Sequence, residues 1–254
     1  MRTGTVNVQA LLAQAQAKLS GTTQQTSSGA KPSESEKIGK ISPALAQVHQ
    51  RITAQSQTAT ASLSALGKFK SDLDGLGSAA KEVAALTADS GQKTVQAVQA
   101  ALEKMVSAYN ASLKSGATAS STRNDGSADR AQRELRNAID KLTTPSAGIA
   151  QLGLTRQENG TLALDTKALA GALAKQPAPD LGPLKNLAEG IAGSTTKSLS
   201  QDSRLSSSLS RLGQRAQALQ AQQAAVVSTA NQLAELGGTG NSWSAQALAA
   251  YRRT

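Results

Sequence analysis

Apolar side chains recur along two long stretches of this sequence at alternating spacings of three and four residues. The first stretch runs from Ile38 to Val83, and the second runs from Leu205 to Leu233. This spacing is typical of helices that pack side by side as a coiled coil. The sequence therefore predicts two long helices, each with one narrow apolar seam. Because the two seams can pair as an antiparallel hairpin, we expect an elongated rather than a spherical fold.

The apolar positions of both seams are our candidates for self-association. They are Ile38, Ile41, Leu45, Val48, Ile52, Leu66, Phe69, Leu73, Leu205, Leu209, Leu212, Leu219, Val226 and Leu233. A helix pair within one chain would use the same positions, so the spacing leaves both interpretations open. Gln55, Ser62 and Gln223 also fall on the seams. A polar seam residue either fixes the register of the helices at some cost in stability or is simply tolerated.

The composition limits how thick the hydrophobic core can be. Hydrophobic residues make up 39% of the 254 positions, but 47 of them are alanines and only 2% of all residues are aromatic. Low hydrophobicity together with net charge is typical of disorder, whereas alanine and leucine favour helix. We therefore expect a mainly α fold, a coiled-coil helical domain with one small β-hairpin and disordered terminal segments.

Breaks in the pattern predict five segments. They are an N-terminal helix and flexible linker (1–37), a first coiled-coil helix (38–86), a helical segment with a β-hairpin at 148–165 (87–183), a C-terminal coiled-coil helix (184–236) and a tail (237–254). Residues 114–128 are predicted to be a loop because they are rich in Ser, Thr and Gly. Gly237, Gly238 and Gly240 are predicted to end the last helix. The hairpin prediction depends on Asn159-Gly160, which lies between two short apolar runs.

The sequence contains few residues that could support catalysis or bind a metal. The chain has no cysteine and a single histidine, His49, which excludes thiol nucleophiles and Cys/His zinc sites. We expect His49 to be solvated or hydrogen-bonded rather than a ligand. No paired carboxylates, Ser/His/Asp set or phosphate-binding glycine loop stands out. We therefore predict a protein that is not an enzyme, with no catalytic residues, no cofactor and no metal.

The net charge of +10 raises the question of nucleic-acid or membrane binding. The basic residues are dispersed, and the densest group, at residues 123–136, is interleaved with acidic residues and lacks aromatic stacking partners. A solvated helix face explains this group better, so we predict no nucleic-acid partner and no membrane partner. Apolar runs long enough for a membrane span or a cleaved signal peptide are also missing from the sequence.

Four segments resemble a known family. Val-Asn-Val-Gln-Ala-Leu-Leu begins at residue 6, and Gln-Arg-Ile-Thr-Ala-Gln begins at residue 50. Val-Ser-Ala-Tyr-Asn-Ala-Ser-Leu begins at residue 106, and Leu-Gly-Leu-Thr at residue 152 precedes Asn-Gly-Thr-Leu-Ala-Leu-Asp at residue 159. These segments resemble the flagellar filament cap family, also called the hook-associated protein 2 family. The most specific part is the hairpin signature of Leu152, Gly153, Asn159, Gly160, Thr161, Leu162, Leu164 and Asp165.

The resemblance implies a structural protein that is exported through the flagellar channel and acts outside the cell. It implies coiled-coil leg helices, a homo-oligomer at the distal end of the filament, and contacts with flagellin and the hook-filament junction proteins. It also implies an export chaperone that binds the C-terminal helix. The family usually carries a β-rich head before the Ala-Tyr-Asn helix, whereas here only residues 84–94 separate the neighbouring elements. Functions of the head, including cell adhesion, are therefore in doubt.

Two alternatives remain open at this point. The chain could be an intracellular coiled-coil adaptor that binds nucleic acid through its basic surface. It could also be a headless paralogue that regulates flagellar export without joining the cap.

Overall fold

The computed structural model describes residues 33–86, 92–122, 126–142, 149–174 and 181–251. Within these residues the chain is mainly helical and contains one small two-stranded antiparallel β-hairpin. This result confirms the predicted mainly α fold class and its hairpin. The predicted N-terminal helix and most of the linker after it lie outside the described residues.

The elements are as follows. The helices are α1 (Glu34–Ile41), α2 (Pro43–Ala84), α3 (Gln92–Thr122), α4 (Ser127–Leu142), α5 (Thr166–Ala174), α6 (Gly182–Leu199) and α7 (Arg204–Tyr251). A short 3₁₀ helix (Ala150–Leu152) leads into strand β1 (Leu154–Arg156), which pairs with strand β2 (Leu162–Leu164).

Helix α1 begins with a capping box. The Ser33 hydroxyl accepts a hydrogen bond from the Glu36 backbone N–H (3.3 Å), and the Glu36 carboxylate accepts one from the Ser33 N–H (2.8 Å). The prediction that the first helix begins at Ile38 is therefore wrong, because residues 34–37 already belong to a helix. The prediction of one unbroken helix is also wrong. Ser42 is extended, as residues before proline tend to be, and Pro43 starts a new helix.

The chain divides into two compact units, which we describe separately. The terminal unit contains the described residues 33–61 and 212–251, and the central unit contains residues 62–211. The terminal unit thus holds α1, the first part of α2 and most of α7. The central unit holds the rest of α2, the helices α3 to α6, the hairpin and the start of α7.

Two apolar clusters hold the terminal unit together. In one cluster Ile52 and Ala59 pack with Ala216 and Leu219. The other cluster joins Ile38 and Ala46 to Ala230, with Leu45 and Val227 packed against it. Because later residues of α2 meet earlier residues of α7, the two helices run antiparallel. The predicted antiparallel pairing of the two seams is confirmed within this unit.

The central unit is a helical bundle that carries the hairpin on one of its helices. Helix α4 packs against α3 and α6, and α3 also packs against β2 and α5. Helix α2 approaches α6 closely at Gly77, where an added Cβ would lie 2.8 Å from the Thr195 hydroxyl oxygen. The core contains the few large side chains that the sequence supplies. Among the fully buried ones are Phe69, Leu73, Leu76, Leu102, Met105, Tyr109, Leu135 and Ile139.

Residues 114–122 are helical, so the prediction of a loop there is wrong. The hydroxyl groups bond back to carbonyls of the same helix: Thr118 to Lys114 (3.1 Å) and Ser120 to Gly116 (2.9 Å). Gly116 lets the Gln132 side chain of α4 cross α3 and donate to the Leu113 carbonyl (2.6 Å). The small polar residues thus allow the two helices to pack closely, although their composition is typical of a loop.

The last predicted helix differs from the structure at two points. It is interrupted at residues 200–203, where the Ser200 carbonyl accepts hydrogen bonds from the Ser203 N–H and the Ser206 hydroxyl. Beyond this turn, α7 continues to Tyr251, so the prediction that the glycines at 237–240 end the helix is wrong. A glycine costs a helix only about 1 kcal/mol relative to alanine. The alanine-rich residues 245–250 that follow are strong helix formers.

Candidate functional site

The strongest constellation of polar contacts joins helix α3 to the β-hairpin. The Tyr109 hydroxyl donates a hydrogen bond to the Gly160 carbonyl (3.1 Å). Next to it, the Asn110 amide donates to the Leu162 carbonyl and accepts from the Leu162 N–H, both at 2.9 Å. Asn110 therefore satisfies both backbone groups that β2 presents at Leu162, as a third strand would do. We call this arrangement of Tyr109, Asn110, Gly160 and Leu162 the docked hairpin.

The turn of the hairpin forms where the sequence predicts it. Gly160 has a φ of 83°, in the left-handed region that favours glycine, and its N–H donates to the Gln157 carbonyl (2.9 Å). The Asn159 side-chain oxygen accepts hydrogen bonds from the Thr161 N–H (2.9 Å) and the Thr161 hydroxyl (2.7 Å). The hydrogen bond from the Gln157 N–H to the Thr161 carbonyl (2.8 Å) closes a three-residue loop.

The two ends of the hairpin are fixed by Gly153 and Asp165. Gly153 has a φ of 76°, and its carbonyl accepts the Asp165 N–H at 2.8 Å. A Cβ at Gly153 would clash with the Asp165 carbonyl oxygen. The Asp165 carboxylate in turn caps α5 by accepting the N–H groups of Lys167 (2.9 Å) and Ala168 (3.0 Å). Asp165, a residue of the predicted hairpin signature, thus also fixes the start of α5.

Charged side chains surround the buried Tyr109. Burial raises the pKa of Tyr109 to about 12, while the nearby guanidinium groups of Arg156 and Arg136 act in the opposite direction. Arg156 pairs with Asp140 through a 3.0 Å contact between Nε and Oδ1. The Nε atom of Arg136 is buried without a hydrogen-bond partner in the described part of the chain. The phenol is thus held as a neutral donor, which suits an anchor rather than a catalyst.

Four residues of the predicted hairpin signature are buried or half-buried. Leu162 is buried, Leu152 and Leu164 are half-buried, and Gly153 is buried. The sequence predicts the hairpin, but it did not identify Tyr109 and Asn110 as the residues that anchor it. The motif Ala-Tyr-Asn is present in the sequence, but its hydrogen bonds to the hairpin span 51 and 52 residues along the chain. A local sequence pattern cannot predict contacts over that separation.

Predicted seam residues in the central unit lie inside the bundle. Leu66, Phe69 and Leu73 of α2 are buried, as are Leu205 and Leu209 at the start of α7. Their burial within a single chain accounts for these apolar positions without a second copy. For these residues, the alternative of a helix pair within one chain matches the structure.

The predicted seam residues of the terminal unit fall into two groups. Ile38, Ile52, Leu212 and Leu219 are buried, and Leu45 and Val226 are half-buried. In contrast, Ile41 (38% exposed), Val48 (43%) and Leu233 (44%) face solvent, as does Leu236 (68%), which the sequence reasoning did not select. These four side chains are the exposed large hydrophobic residues of the described part of the chain.

A polar layer lies between the two apolar clusters of the terminal unit. His49 is only 4% exposed, its Nδ1 lies 2.9 Å from the Ser35 hydroxyl, and its Nε2 lies 3.5 Å from the Gln223 amide nitrogen. The same amide donates to the Thr53 hydroxyl (3.3 Å). His49 is therefore hydrogen-bonded, as expected, but it is not solvated. Gln223 lies on the seam as predicted and connects α7 to α2.

At two positions of the first seam, the prediction of which residue is buried is wrong by one residue. His49 is buried where the prediction chose Val48, and Gln55, a predicted seam position, is exposed. Ser62 is a true core position, and its hydroxyl donates to the Thr122 carbonyl (3.3 Å). Hydrophobicity alone favours valine over histidine, so a buried histidine with side-chain partners goes undetected.

The described residues contain neither a candidate metal cluster nor a candidate membrane-spanning helix. Among the residues that the structure describes, His, Asp and Glu side chains form no cluster of three or more that could hold a metal ion. Over the same ranges, no helix is both long enough and apolar enough to cross a membrane. The geometry thus defines a helical protein with a docked hairpin. No known protein family, curated protein or solved structure is significantly similar to this chain.

Proposed function

We propose that this chain is a non-enzymatic structural protein of the bacterial flagellum. In this proposal it resembles the filament cap and self-associates at the distal end of the filament, where it supports flagellin assembly. It is secreted, contacts flagellin and the hook-filament junction proteins, and binds an export chaperone through its C-terminal helix. The proposal includes the coiled-coil character and the disordered terminal segments expected from the sequence.

The docked hairpin is the observation that carries the proposal. Two of the segments that resemble the cap family, residues 106–113 and 152–165, are far apart in the sequence. In the fold, Tyr109 and Asn110 of the first segment hold Gly160 and Leu162 of the second through three hydrogen bonds. A chance resemblance in two separate segments gives no reason for them to meet. Their union in one structural element therefore supports a common origin with the family.

Exposed apolar side chains support the self-association that the proposal requires. Ile41, Val48 and Leu233 were predicted as seam residues, and in the terminal unit they remain 38–44% exposed. Burial of an apolar side chain by a second copy would be favourable, by about 25 cal/mol for each Å² of apolar surface covered. The terminal unit is thus where we propose that neighbouring copies meet.

A deletion strain of the source organism tests the proposal. We expect the strain to lose swimming motility and to release flagellin monomers into the medium, and we expect the wild-type protein to be present in the culture supernatant. Complementation with Asn110→Ala, which undocks the hairpin, should restore motility poorly. Complementation with Asn137→Ala, an exposed asparagine on α4, should restore it fully. Detection of the protein in the cytoplasm alone would contradict the proposal.

Each of the two alternatives predicts a different result. An adaptor that binds nucleic acid would bind DNA tightly at low salt and lose that affinity steeply as salt rises. A headless paralogue that regulates export would leave filaments of normal length while changing the amount of secreted flagellin. Either result would replace the proposed cap function.

A further inference from the structure

A buried hydrogen-bond donor without a partner lies beside the docked hairpin. The Nε atom of Arg136, on α4, is buried and has no hydrogen-bond partner in the described part of the chain. Nearly all buried polar atoms in folded proteins are paired. An unpaired donor on a charged group lowers the stability of the state that buries it. Burial of this atom is therefore unfavourable for the docked hairpin.

The position of Arg136 on its helix would normally give it a carboxylate partner. Asp140 follows four residues later, and side chains at this spacing are neighbours on a helix. Arg130 and Glu134, which have the same order and spacing on α4, form an ion pair of 3.1 Å. Arg136 forms no ion pair with any carboxylate of the described residues. The pair that the helix itself would form, Arg136 with Asp140, is thus absent there.

The hairpin takes Asp140 away from Arg136. The Asp140 carboxylate pairs with Arg156 of β1, and 3.0 Å separate the Arg156 Nε from Oδ1. Docking also brings the two guanidinium groups to the same side of the turn. A Cβ added at Gly160 would lie 3.8 Å from the Arg156 Nη2 and 4.0 Å from the Arg136 Nε. Because like charges repel, docking places Arg136 near a second cation and also removes its helical partner.

Apolar burial opposes these unfavourable terms. Leu154 and Leu162 of the hairpin are only 2% and 3% exposed, and burial of leucine side chains is favourable. The docked state is therefore the main one, and a state in which the hairpin has left α3 is a minor one. The Asp165 N–H donates to the Gly153 carbonyl (2.8 Å) and joins the two ends of the hairpin. The strands can thus leave α3 together while they stay paired with each other.

We propose that Asp140 exchanges between two arginines as the hairpin docks on α3 and is released. While the hairpin is docked, Asp140 pairs with Arg156. When the hairpin is released, Asp140 pairs with Arg136, and the Arg136 Nε is no longer buried without an acceptor. Arg136 thus favours release of the hairpin, and Arg156 opposes it. The inference does not depend on the proposed flagellar function.

Hydrogen exchange of the Leu162 amide in the full ¹⁵N-labelled chain measures the released population, because Asn110 accepts that N–H in the docked state. We expect Arg136→Met to slow the exchange about threefold or more, since it removes the unpaired buried donor. Arg156→Met should speed the exchange about two- to fivefold, as expected for the loss of an exposed ion pair. The matched control is Arg133→Met, an exposed arginine on α4 with no carboxylate four residues later, and it should exchange like the wild type.

A second comparison isolates the exchange of partners. In an Asp140→Asn background the two arginines have no carboxylate to share, so Arg136→Met should slow the exchange less than it does with Asp140 present. Equal slowing in both backgrounds would overturn the proposal. Unchanged or faster exchange in Arg136→Met would also overturn it, as would a loss of helicity of that variant in circular dichroism, because each result would show that Arg136 does not favour release.

Discussion

Replacing Asn110 with alanine should undock the hairpin and destabilise the central unit. The change removes two hydrogen bonds of 2.9 Å and leaves the N–H and C=O groups of Leu162 without partners. Leu162 is only 3% exposed, so water can replace the lost amide only in part. A net hydrogen bond contributes about 0.5–1.5 kcal/mol, and an unpaired buried group costs about 1–3 kcal/mol.

Two effects reduce the loss of stability in Asn110→Ala. Alanine is a better helix former than asparagine by roughly 0.6 kcal/mol, and local relaxation lets some water reach Leu162. We therefore expect the free energy of unfolding to fall by about 2–3 kcal/mol. At the size of this chain, each kcal/mol corresponds to about 2–4 °C in melting temperature. The variant should thus melt roughly 4–12 °C below the wild type.

The assay combines urea unfolding, followed by circular dichroism, with hydrogen exchange at the Leu162 amide. Asn110→Ala should lose protection of that amide together with stability. Asn137→Ala, on the exposed face of α4, should remain within about 0.5 kcal/mol of the wild type. If Asn110→Ala were as stable as the wild type and its Leu162 amide stayed protected, the account of the docked hairpin would be refuted.

Three further predictions concern Gly153, Tyr109 and the exposed seam residues. Gly153→Ala should lower the free energy of unfolding in urea by at least about 2 kcal/mol, because Gly153 has a φ of 76° and a Cβ there would clash with a backbone carbonyl. As a control, Gly171→Ala on α5 should be neutral or stabilising, because the added Cβ meets nothing within 4 Å. The pKa of Tyr109 is raised from 10.0 to about 12, so between these pH values the folded state keeps a proton that the unfolded state releases. The contribution of Tyr109 to stability is therefore fully present below pH 10. The free energy of unfolding should fall by up to about 1.4 kcal/mol per pH unit as the pH rises toward 12. Tyr109→Phe should remove that part of the alkaline loss in unfolding curves measured at each pH, and an unchanged slope would contradict the assignment. Finally, Val48→Gln combined with Leu233→Gln should reduce concentration-dependent association in analytical ultracentrifugation while leaving helicity unchanged, whereas equal association would move the contact surface elsewhere.

The hairpin and its flanking helix were predictable because their signals are local. Asn159-Gly160 supplies the turn, and Asp165 supplies the cap of α5. The second seam was also predictable, since its buried positions from Leu205 to Leu219 follow a regular spacing. These features depend on residues that are close together in the sequence.

The features that the sequence did not reveal depend on distant partners. Residues 114–122 have the composition of a loop, yet Gly116 and its neighbours form a helix because Gln132 packs across them. His49 is buried because Gln223 and Ser35 provide hydrogen-bond partners for its ring. In both cases the decisive contact is made by a residue of another helix, which a pattern of hydrophobicity does not encode.

We propose that this protein acts at the distal end of the flagellar filament. Immunogold labelling of intact cells, with antibodies against the purified chain, tests it most directly. We expect gold particles at filament tips in the wild type and none in the deletion strain. Tips without label, in cells whose cytoplasm contains the protein, would contradict it.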